Sequence, residues 1–233
     1  MPEEIAAASL AALPLFAGLT PAQIATIAGR FRRRAIPAGT TLILAEEPGE
    51  TAYLIEQGVM KVSLLQADGS EVILGLRGQG EMVGEMSLLD HQARSATVTA
   101  LEPCSVLWVD RATFGAWLHT VPELNTNLLR LLARRLRLAG IQILTLSTLD
   151  LYGRVARQLL SLAEQCGEPL TDDGASVLIP LRLTQSDLAA MVGATRARVN
   201  AVLMYYKRHG MIEVDRSLRI TLRDPAALEA RAR

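Results

Sequence analysis

Gly84-Glu85-Met86-Ser87-Leu88-Leu89-Asp90-His91-Gln92-Ala93-Arg94-Ser95-Ala96-Thr97-Val98 is the stretch on which the fold of this 233-residue chain turns. A glycine opening a short helical turn leaves backbone N–H groups free to grip an anion, and the turn's dipole favours negative charge. Arg94 adds a forked cation whose planar donors suit phosphate, and Ser95 adds a hydroxyl donor. Glu85 is a poor phosphate ligand but a good acceptor for sugar hydroxyls. Gly84, Glu85, Met86, Ser87, Arg94, Ser95 and Ala96 are therefore the candidate ligand-binding positions, suited to a phosphorylated sugar with the acid on the ribose. Gly-Glu and Arg-Ser pairs are common, so the residues alone leave an ordinary turn open beside a ligand site.

Outward from this stretch, residues 35–109 have the texture of short strands. Thr41–Leu44, Ala52–Ile55, Met60–Leu65, Glu71–Leu76, Ala96–Ala100 and Ser105–Val109 are β-prone. They are divided by turn formers such as Pro37-Ala38-Gly39, Pro48-Gly49 and Gly78-Gln79-Gly80. Ala67-Asp68-Gly69-Ser70 between two apolar runs is the strongest hairpin signal in the chain. Many short strands with such punctuation predict an antiparallel jelly-roll barrel. Upstream, Thr20-Pro21-Ala22-Gln23 combines a cap, a proline at the first helical position and a glutamine three residues after the cap, so a helix is expected to about Arg30. Arg32-Arg33-Arg34 reads as a solvated face in preference to a phosphate patch.

Downstream, a helical pattern starts near Pro122 and runs to Leu149. Leu124, Leu128, Leu131, Leu132, Leu136, Leu138, Ile141, Ile143, Leu144, Leu146 and Leu149 cover more than one helix face. A surface helix needs one apolar stripe; a second suits a partner helix in a parallel coiled coil. Burial within one chain is the other reading, and the length and second stripe favour dimerisation. Arg130, Arg134, Arg135 and Arg137 rule this helix out as a membrane span. Leu151–Gln165 reads as another helix, and Gly167–Gly174 as a loop.

The C-terminal region carries two capped helices. Thr184 caps the first, with Asp187 at its third position and Gly193 as its stop. After the Gly193-Ala194 turn, Thr195 caps a second, running from Arg196 to about His209. Val199, Val202, Leu203 and Tyr206 fall on its core side; Arg196, Ala197 and Asn200 fall near its exposed N-terminal end, where a recognition helix touches base edges. Arginine bonds guanine bidentately and asparagine bonds adenine. Ile212–Val214 and Leu218–Leu222 pair as a wing across Asp215-Arg216-Ser217, with Arg216 near phosphates. The candidate DNA-binding residues are Thr184, Gln185, Thr195, Arg196, Arg198, Asn200 and Arg216. A basic three-helix packing unit without DNA is the competing reading.

Charge distribution bears on that choice. The whole chain balances 24 Lys and Arg against 24 Asp and Glu, yet residues 1–120 carry net −5 and residues 184–233 carry net +4. Only the C-terminal end suits a polyanion. Two distant cysteines, Cys104 and Cys166, form neither a disulfide framework nor a metal motif. Glu3 and Glu4 stand where a signal peptide needs positive charge, so a cytoplasmic location is expected, with no membrane partner. No nucleophile triad, acid–base pair or metal cluster is legible, so neither an enzyme nor a metal site is expected.

GEMSLLDHQARSATV resembles the phosphate-binding cassette of the cyclic-AMP receptor protein and fumarate-nitrate regulator (CRP/FNR) family of transcription regulators. Leu132-Ala133-Arg134-Arg135-Leu136 and Leu149-Asp150-Leu151-Tyr152-Gly153-Arg154-Val155-Ala156 resemble its dimer helix and hinge, so the likeness covers nearly the whole chain in order. It implies an α+β protein in three parts: a ligand-sensing, cyclic-nucleotide-binding-like β domain at 1–120, a dimerisation helix at 121–149, and a winged helix-turn-helix at 150–233. It further implies a homodimer on a palindromic operator in double-stranded DNA, with RNA polymerase as a partner. No obligatory cofactor is implied; the effector would be a cyclic nucleotide, cyclic AMP or another. Glu85, Arg94 and Ser95 match the ribose and phosphate positions, and Arg135 lies near the acid.

Departures are as informative. The Thr-Ser pair that reads adenine in the cyclic-AMP receptor is matched by Ala139 and Gly140, which offer no side-chain hydrogen bond. Another cyclic nucleotide, a dinucleotide, or a degenerate site in a ligand-independent protein stay open. A nucleotide-binding signalling module acting through protein partners is the alternative function. In the reading helix, Ala197 and Ala201 replace a Glu and an Arg, so the half-site should differ. The iron–sulfur branch needs N-terminal cysteines, and none precedes Cys104. A haem branch would need His91 or His119 as axial ligand, a weaker expectation than a nucleotide.

Overall fold

A computed structural model describes residues 7–170 and 176–232. These residues form two compact units whose division falls inside one long helix: residues up to Leu64 with Leu74–Arg137, and Leu65–Ile73 with Leu138 onward. In chain order the elements are α1 (Ala7–Ala11), α2 (Pro21–Ala28), β1 (Arg32–Ile36), β2 (Thr41–Ile43), β3 (Thr51–Gln57), β4 (Met60–Leu65), β5 (Glu71–Arg77), β6 (Met82–Val83), α3 (Glu85–Asp90), β7 (Thr97–Ala100) and β8 (Cys104–Asp110). There follow α4 (Arg111–Thr120), α5 (Pro122–Thr148), α6 (Leu151–Cys166), β9 (Glu168–Pro169), β10 (Val177–Ile179), α7 (Gln185–Val192), α8 (Arg196–Arg208), β11 (Ile212–Val214), β12 (Ile220–Leu222) and α9 (Pro225–Arg231).

The N-terminal strands make two antiparallel four-stranded sheets, ordered β1-β8-β3-β6 and β2-β7-β4-β5. The expected jelly-roll layers are present, but they are open sheets and not a closed barrel. β6 and β5 end their sheets, and β6, two residues long, offers too little backbone to carry pairing further. Strands β3 and β8 are central because both of their faces are buried. Leu54 and Leu107 pack with Phe31, Phe114, Trp117 and Leu124 on one side, whereas Ile55 and Val106 pack with Ile36, Val83 and Val98 on the other. The period of two in a strand sends neighbours to opposite faces.

The hairpin expected at residues 67–70 forms. Gly69 adopts φ +83°, Gln66 N–H donates to Ser70 O at 2.8 Å, and Asp68 Oδ1 accepts from Ser70 N–H at 2.9 Å. The helix after Thr20 has the full capping box with Gln23 and ends at Ala28. Arg32-Arg33-Arg34, expected as a solvated face, lies in β1, paired along its length with β8, with Arg32 and Arg34 exposed and Arg33 half-buried. The strand tolerates its charges because Arg34 is exposed and the other two find partners. Arg33 Nε and Nη2 donate to Glu56 at 2.8 and 2.7 Å, Ser105 Oγ donates to the same carboxylate, and Arg32 lies over the Trp108 ring at 5.2 Å. Charged side chains also suit an edge strand, since they discourage pairing with another chain.

In the second unit, α6 buries Leu151, Val155, Ala156, Leu159 and Leu162. The loop expected at 167–174 differs in part: Glu168–Pro169 pairs with β10 as β9, and residues 171–175 lie outside the described residues. Helices α7 and α8 and the sheet β11-β12-β10-β9 complete the unit. Tyr206 is fully buried at its centre, its hydroxyl donating to Tyr152 O at 2.7 Å. Burial pushes its phenol pKa up to about 12. The stability that this neutral phenol supports is present below the unfolded tyrosine value, about pH 10, and is lost as pH rises through about 12. Tyr206→Phe removes the donor and leaves the packing, so we expect a loss of about 1 kcal/mol in urea-unfolding free energy at neutral pH. An unchanged midpoint would refute it.

Candidate functional site

Gly84 precedes α3 with φ +80°. A Cβ there would stand 2.6 Å from Arg94 Nη1 and 3.1 Å from Thr51 O, so both conformation and space require glycine. Gly49 presses its backbone on the same place: a Cβ would meet Ser87 Cβ at 2.5 Å and Arg94 Nε at 2.8 Å. Between these two close approaches lies the Arg94 side chain, only 6% exposed. Its Nη1 donates to Gly84 O and its Nη2 to Thr51 O, each at 2.7 Å, with Thr51 Oγ1 at 3.3 Å. A guanidinium has five N–H donors, so some remain for an anion. Burial pulls the Arg94 pKa below that of a free guanidinium. Gly84→Ala is expected to cost about 1–3 kcal/mol, from strained φ and the Arg94 clash. Thermal unfolding checks it, and a wild-type midpoint would contradict the close packing.

Ion pairs sharpen this picture. Arg33 meets Glu56, Arg111 meets Glu50, and Arg135 meets Glu85; Arg77 approaches Glu81 at 4.0 Å. Among the described residues, Arg94 has carbonyl and hydroxyl partners but no carboxylate at ion-pair distance. It is a buried cation whose acidic neighbours, Glu85 and Glu50, act on it from beyond ion-pair distance, while burial remains the larger influence.

Glu85 is 1% exposed. Its Oε1 accepts from Arg135 Nη1 at 2.5 Å, and Arg135 Nη2 donates to Met82 O. Glu85 Oε2 and Arg135 Nε are both buried without a partner. By type, the carboxylate oxygen can accept from a hydroxyl and the guanidinium N–H can donate to one. Ser87 is buried, with its Oγ 3.4 Å from Ala93 O, and Ala96 is buried. Ser95 and Met86 are exposed, with Ser95 Oγ 3.7 Å from Met86 Sδ. The first unit thus brings together Gly84, Glu85, Ser87, Arg94 and Arg135. Ala139 and Gly140 are exposed on the portion of α5 that belongs to the second unit.

Two residues at this site escaped the sequence reading, Thr51 and Arg111. Arg111 opens α4 and donates to Glu50 Oε2 at 2.9 Å, Gly49 O at 2.5 Å and Ser87 O at 3.1 Å. Its Nη1 also lies 2.7 Å from His91 Nδ1, and His91 holds φ +59° after α3. Asp110 caps α4, and nothing local in the sequence tells that the next side chain reaches three segments. His91 is thereby engaged by a cation, and His119 is exposed on α4. Among the described residues no group of three or more His, Cys, Asp or Glu could hold a metal ion, and no helix is long and apolar enough to cross a membrane.

A second constellation lies on α7 and α8. Thr184 and Asp187 form a reciprocal capping box, Gly193 ends α7 at φ +63°, and Thr195 caps α8, accepting from Arg198 N–H at 3.4 Å. Val199, Val202, Leu203 and Tyr206 are the buried side of α8, as its spacing predicts. Arg196, Ala197, Arg198, Asn200 and Ala201 are exposed. Gln185 connects the two helices: its Nε2 donates to Asn200 Oδ1 at 2.8 Å, and its Oε1 accepts from Arg196 Nε at 3.4 Å. Arg216 is exposed in the turn between β11 and β12. That turn is shaped by Leu218 at φ +63° and by Asp215 Oδ1, which accepts from Ser217 N–H and Arg219 N–H.

Comparison with known proteins agrees with this division. Residues 33–120 match the cyclic nucleotide-binding domain family, and residues 153–231 match the Crp-like helix-turn-helix domain. The chain is 34% identical over 224 residues to the CRP-like cAMP-activated global transcriptional regulator of Mycobacterium tuberculosis, covering 96% of this chain and 98% of that one. It is 33% identical to the cyclic AMP receptor protein of Thermus thermophilus over 93% of this chain and 95% of that one. The structure of FixK2 from Bradyrhizobium japonicum shares the fold at TM-score 0.76 and 20% identity, over 87% of this chain and 98% of that one. The first of these relatives is named as a transcriptional regulator. A buried arginine behind a glycine-opened turn and a capped helix pair with an exposed polar face therefore sit in one chain because it belongs to the CRP/FNR family of transcription regulators.

Proposed function

We propose that the protein is a homodimeric, sequence-specific DNA-binding regulator whose β domain binds one cyclic-nucleotide-like effector per chain. The observation that carries the effector reading is Arg94, a buried cation whose partners are carbonyls and a hydroxyl. A cyclic phosphodiester supplies one negative charge, which the spare donors of Arg94 suit. The orphaned Glu85 Oε2 and Arg135 Nε then take a ribose hydroxyl. Gly84, Met86, Ser87, Ser95 and Ala96 frame the phosphate, and Ala139 and Gly140 match the family's base-reading positions. Relatives named as cAMP-activated support a cyclic nucleotide.

Thr184, Gln185, Thr195, Arg196, Arg198, Asn200 and Arg216 contact operator DNA in this proposal, with α8 in the major groove. Two-fold pairing through residues 121–149 sets two α8 helices on a palindrome, with half-sites about one helical turn apart. Residues 1–120 sense, residues 150–233 read, and effector binding reorders the helix between them. RNA polymerase is the partner to which a DNA-bound regulator in the cytoplasm answers. The test is fluorescence anisotropy on random palindromic DNA with cyclic AMP, cyclic GMP and cyclic dinucleotides each in turn. Tightening by at least one of them is expected; indifference to all would sink the allosteric part.

Ala139 and Gly140 favour a second reading, in which the protein binds DNA without an effector. Neither side chain can pay for the desolvation of a polar base edge. Native mass spectrometry of the purified protein separates the two: a co-purifying or titratable nucleotide supports the first, and stable DNA binding by the nucleotide-free protein supports the second.

A further inference from the structure

We infer that Gln185 is a positioning residue that fixes two base-reading side chains, Arg196 and Asn200, as one unit, so that two positions of each half-site are specified jointly. The inference rests on the DNA-binding reading above. Gln185 is half-buried at the start of α7, on the other helix from the two residues it holds. Its amide is used at both ends: Oε1 accepts from Arg196 Nε, and Nε2 donates to Asn200 Oδ1 at 2.8 Å.

The chemistry of each contact decides what is left for DNA. Arg196 gives up only Nε, so both terminal nitrogens stay available as the fork that grips guanine O6 and N7. Asn200 Oδ1 has two lone pairs and spends one on Gln185; the other, with Nδ2, still presents the acceptor–donor pair that adenine requires. More important, the contact fixes the sense of the asparagine amide. Rotating it by half a turn would set its NH2 against the NH2 of Gln185, donor against donor. A free asparagine on an exposed helix has no such restraint and discriminates less. Immobilising rotamers before binding lowers the ordering cost at the interface. Residues 196 and 200 are one helical turn apart, about 6 Å along the axis. At 3.4 Å per base step, the guanine and the adenine should lie within about two base pairs of each other.

The test is binding-site selection from a random palindromic library with the full-length protein, run on wild type, Gln185→Ala, Gln185→Glu and Asn200→Ala, each checked for folding by its thermal transition. Wild type should enrich a guanine and an adenine within two base pairs in each half-site. Gln185→Ala should lose about tenfold in discrimination at both positions together. Gln185→Glu keeps an acceptor for Arg196 and repels Asn200 Oδ1, so it should retain guanine and lose adenine; Asn200→Ala should lose adenine alone. Two outcomes overturn the inference and spare the DNA-binding reading. One is an unchanged selection by Gln185→Ala; the other is a uniform loss of affinity with intact sequence preference, as a phosphate contact would give. A wild-type protein that enriches no sequence would instead overturn the DNA-binding reading itself, and this inference with it.

Discussion

Leu136→Glu combined with Ile143→Glu is expected to convert the protein to monomers at micromolar concentration and to weaken binding to a palindromic operator by at least 100-fold. Leu129, Leu136 and Ile143 recur every seven residues on α5 and are 67%, 75% and 66% exposed. Ala133, Gly140 and Ser147, also exposed, fill the alternating positions of the same seam. Large side chains alternating with small ones at spacings of four and three suit a partner helix at close range. Burying six Leu and Ile side chains across a two-fold axis contributes on the order of 10 kcal/mol before association costs. Four glutamates facing one another in that seam would remove most of it. A lone reading helix then loses the effective concentration that the second half-site provides. Analytical ultracentrifugation decides the matter: a variant that stays dimeric puts the dimer interface elsewhere.

Arg94→Gln is expected to lower effector affinity by at least 100-fold, about 3 kcal/mol, because charge-assisted bonds to phosphate contribute roughly twice those between neutral groups. The wild-type protein should show a thermal midpoint that rises with cyclic nucleotide concentration by mass action, and the variant should show no such rise. Glutamine still offers one amide to the carbonyls of Gly84 and Thr51, so the variant should fold with a modest loss of stability. Glu85→Gln should be milder, since its amide keeps one acceptor. An Arg94→Gln protein that responds to nucleotide like wild type would show that the phosphate is held elsewhere.

Much of both units was legible in the sequence. The hairpin at Asp68-Gly69, the capping boxes at Thr20 and Thr184, and the buried face of α8 are local features, each set within a few residues by hydrogen bonds or spacing. The exposure of Arg32 and Arg34 was legible but the strand was not, because nothing local shows that Glu56, 23 residues after Arg33, lies beside that residue. β6, two residues long, carries too short a pattern to register. The long helix and its two apolar stripes were plain in the sequence, but which leucines pack inward was not. Leu124 and Leu128 are buried in the first unit's core, whereas Leu136 and Ile143 are left exposed.

The Gly84–Val98 stretch shows the same division. Its residue types alone determined a glycine-opened turn, an arginine suited to phosphate and an acid suited to a sugar. Only the tertiary structure decided that Arg94 is buried and lacks a carboxylate, since Thr51, 43 residues away, orients it. Only it decided that Glu85 takes Arg135, 50 residues away, on one oxygen and leaves the other without a partner. The physical reason is range. A turn, a cap or an amphipathic stripe is satisfied by neighbours in sequence, whereas a buried charge is satisfied by whichever distant backbone and side chains the packed sheets bring to it.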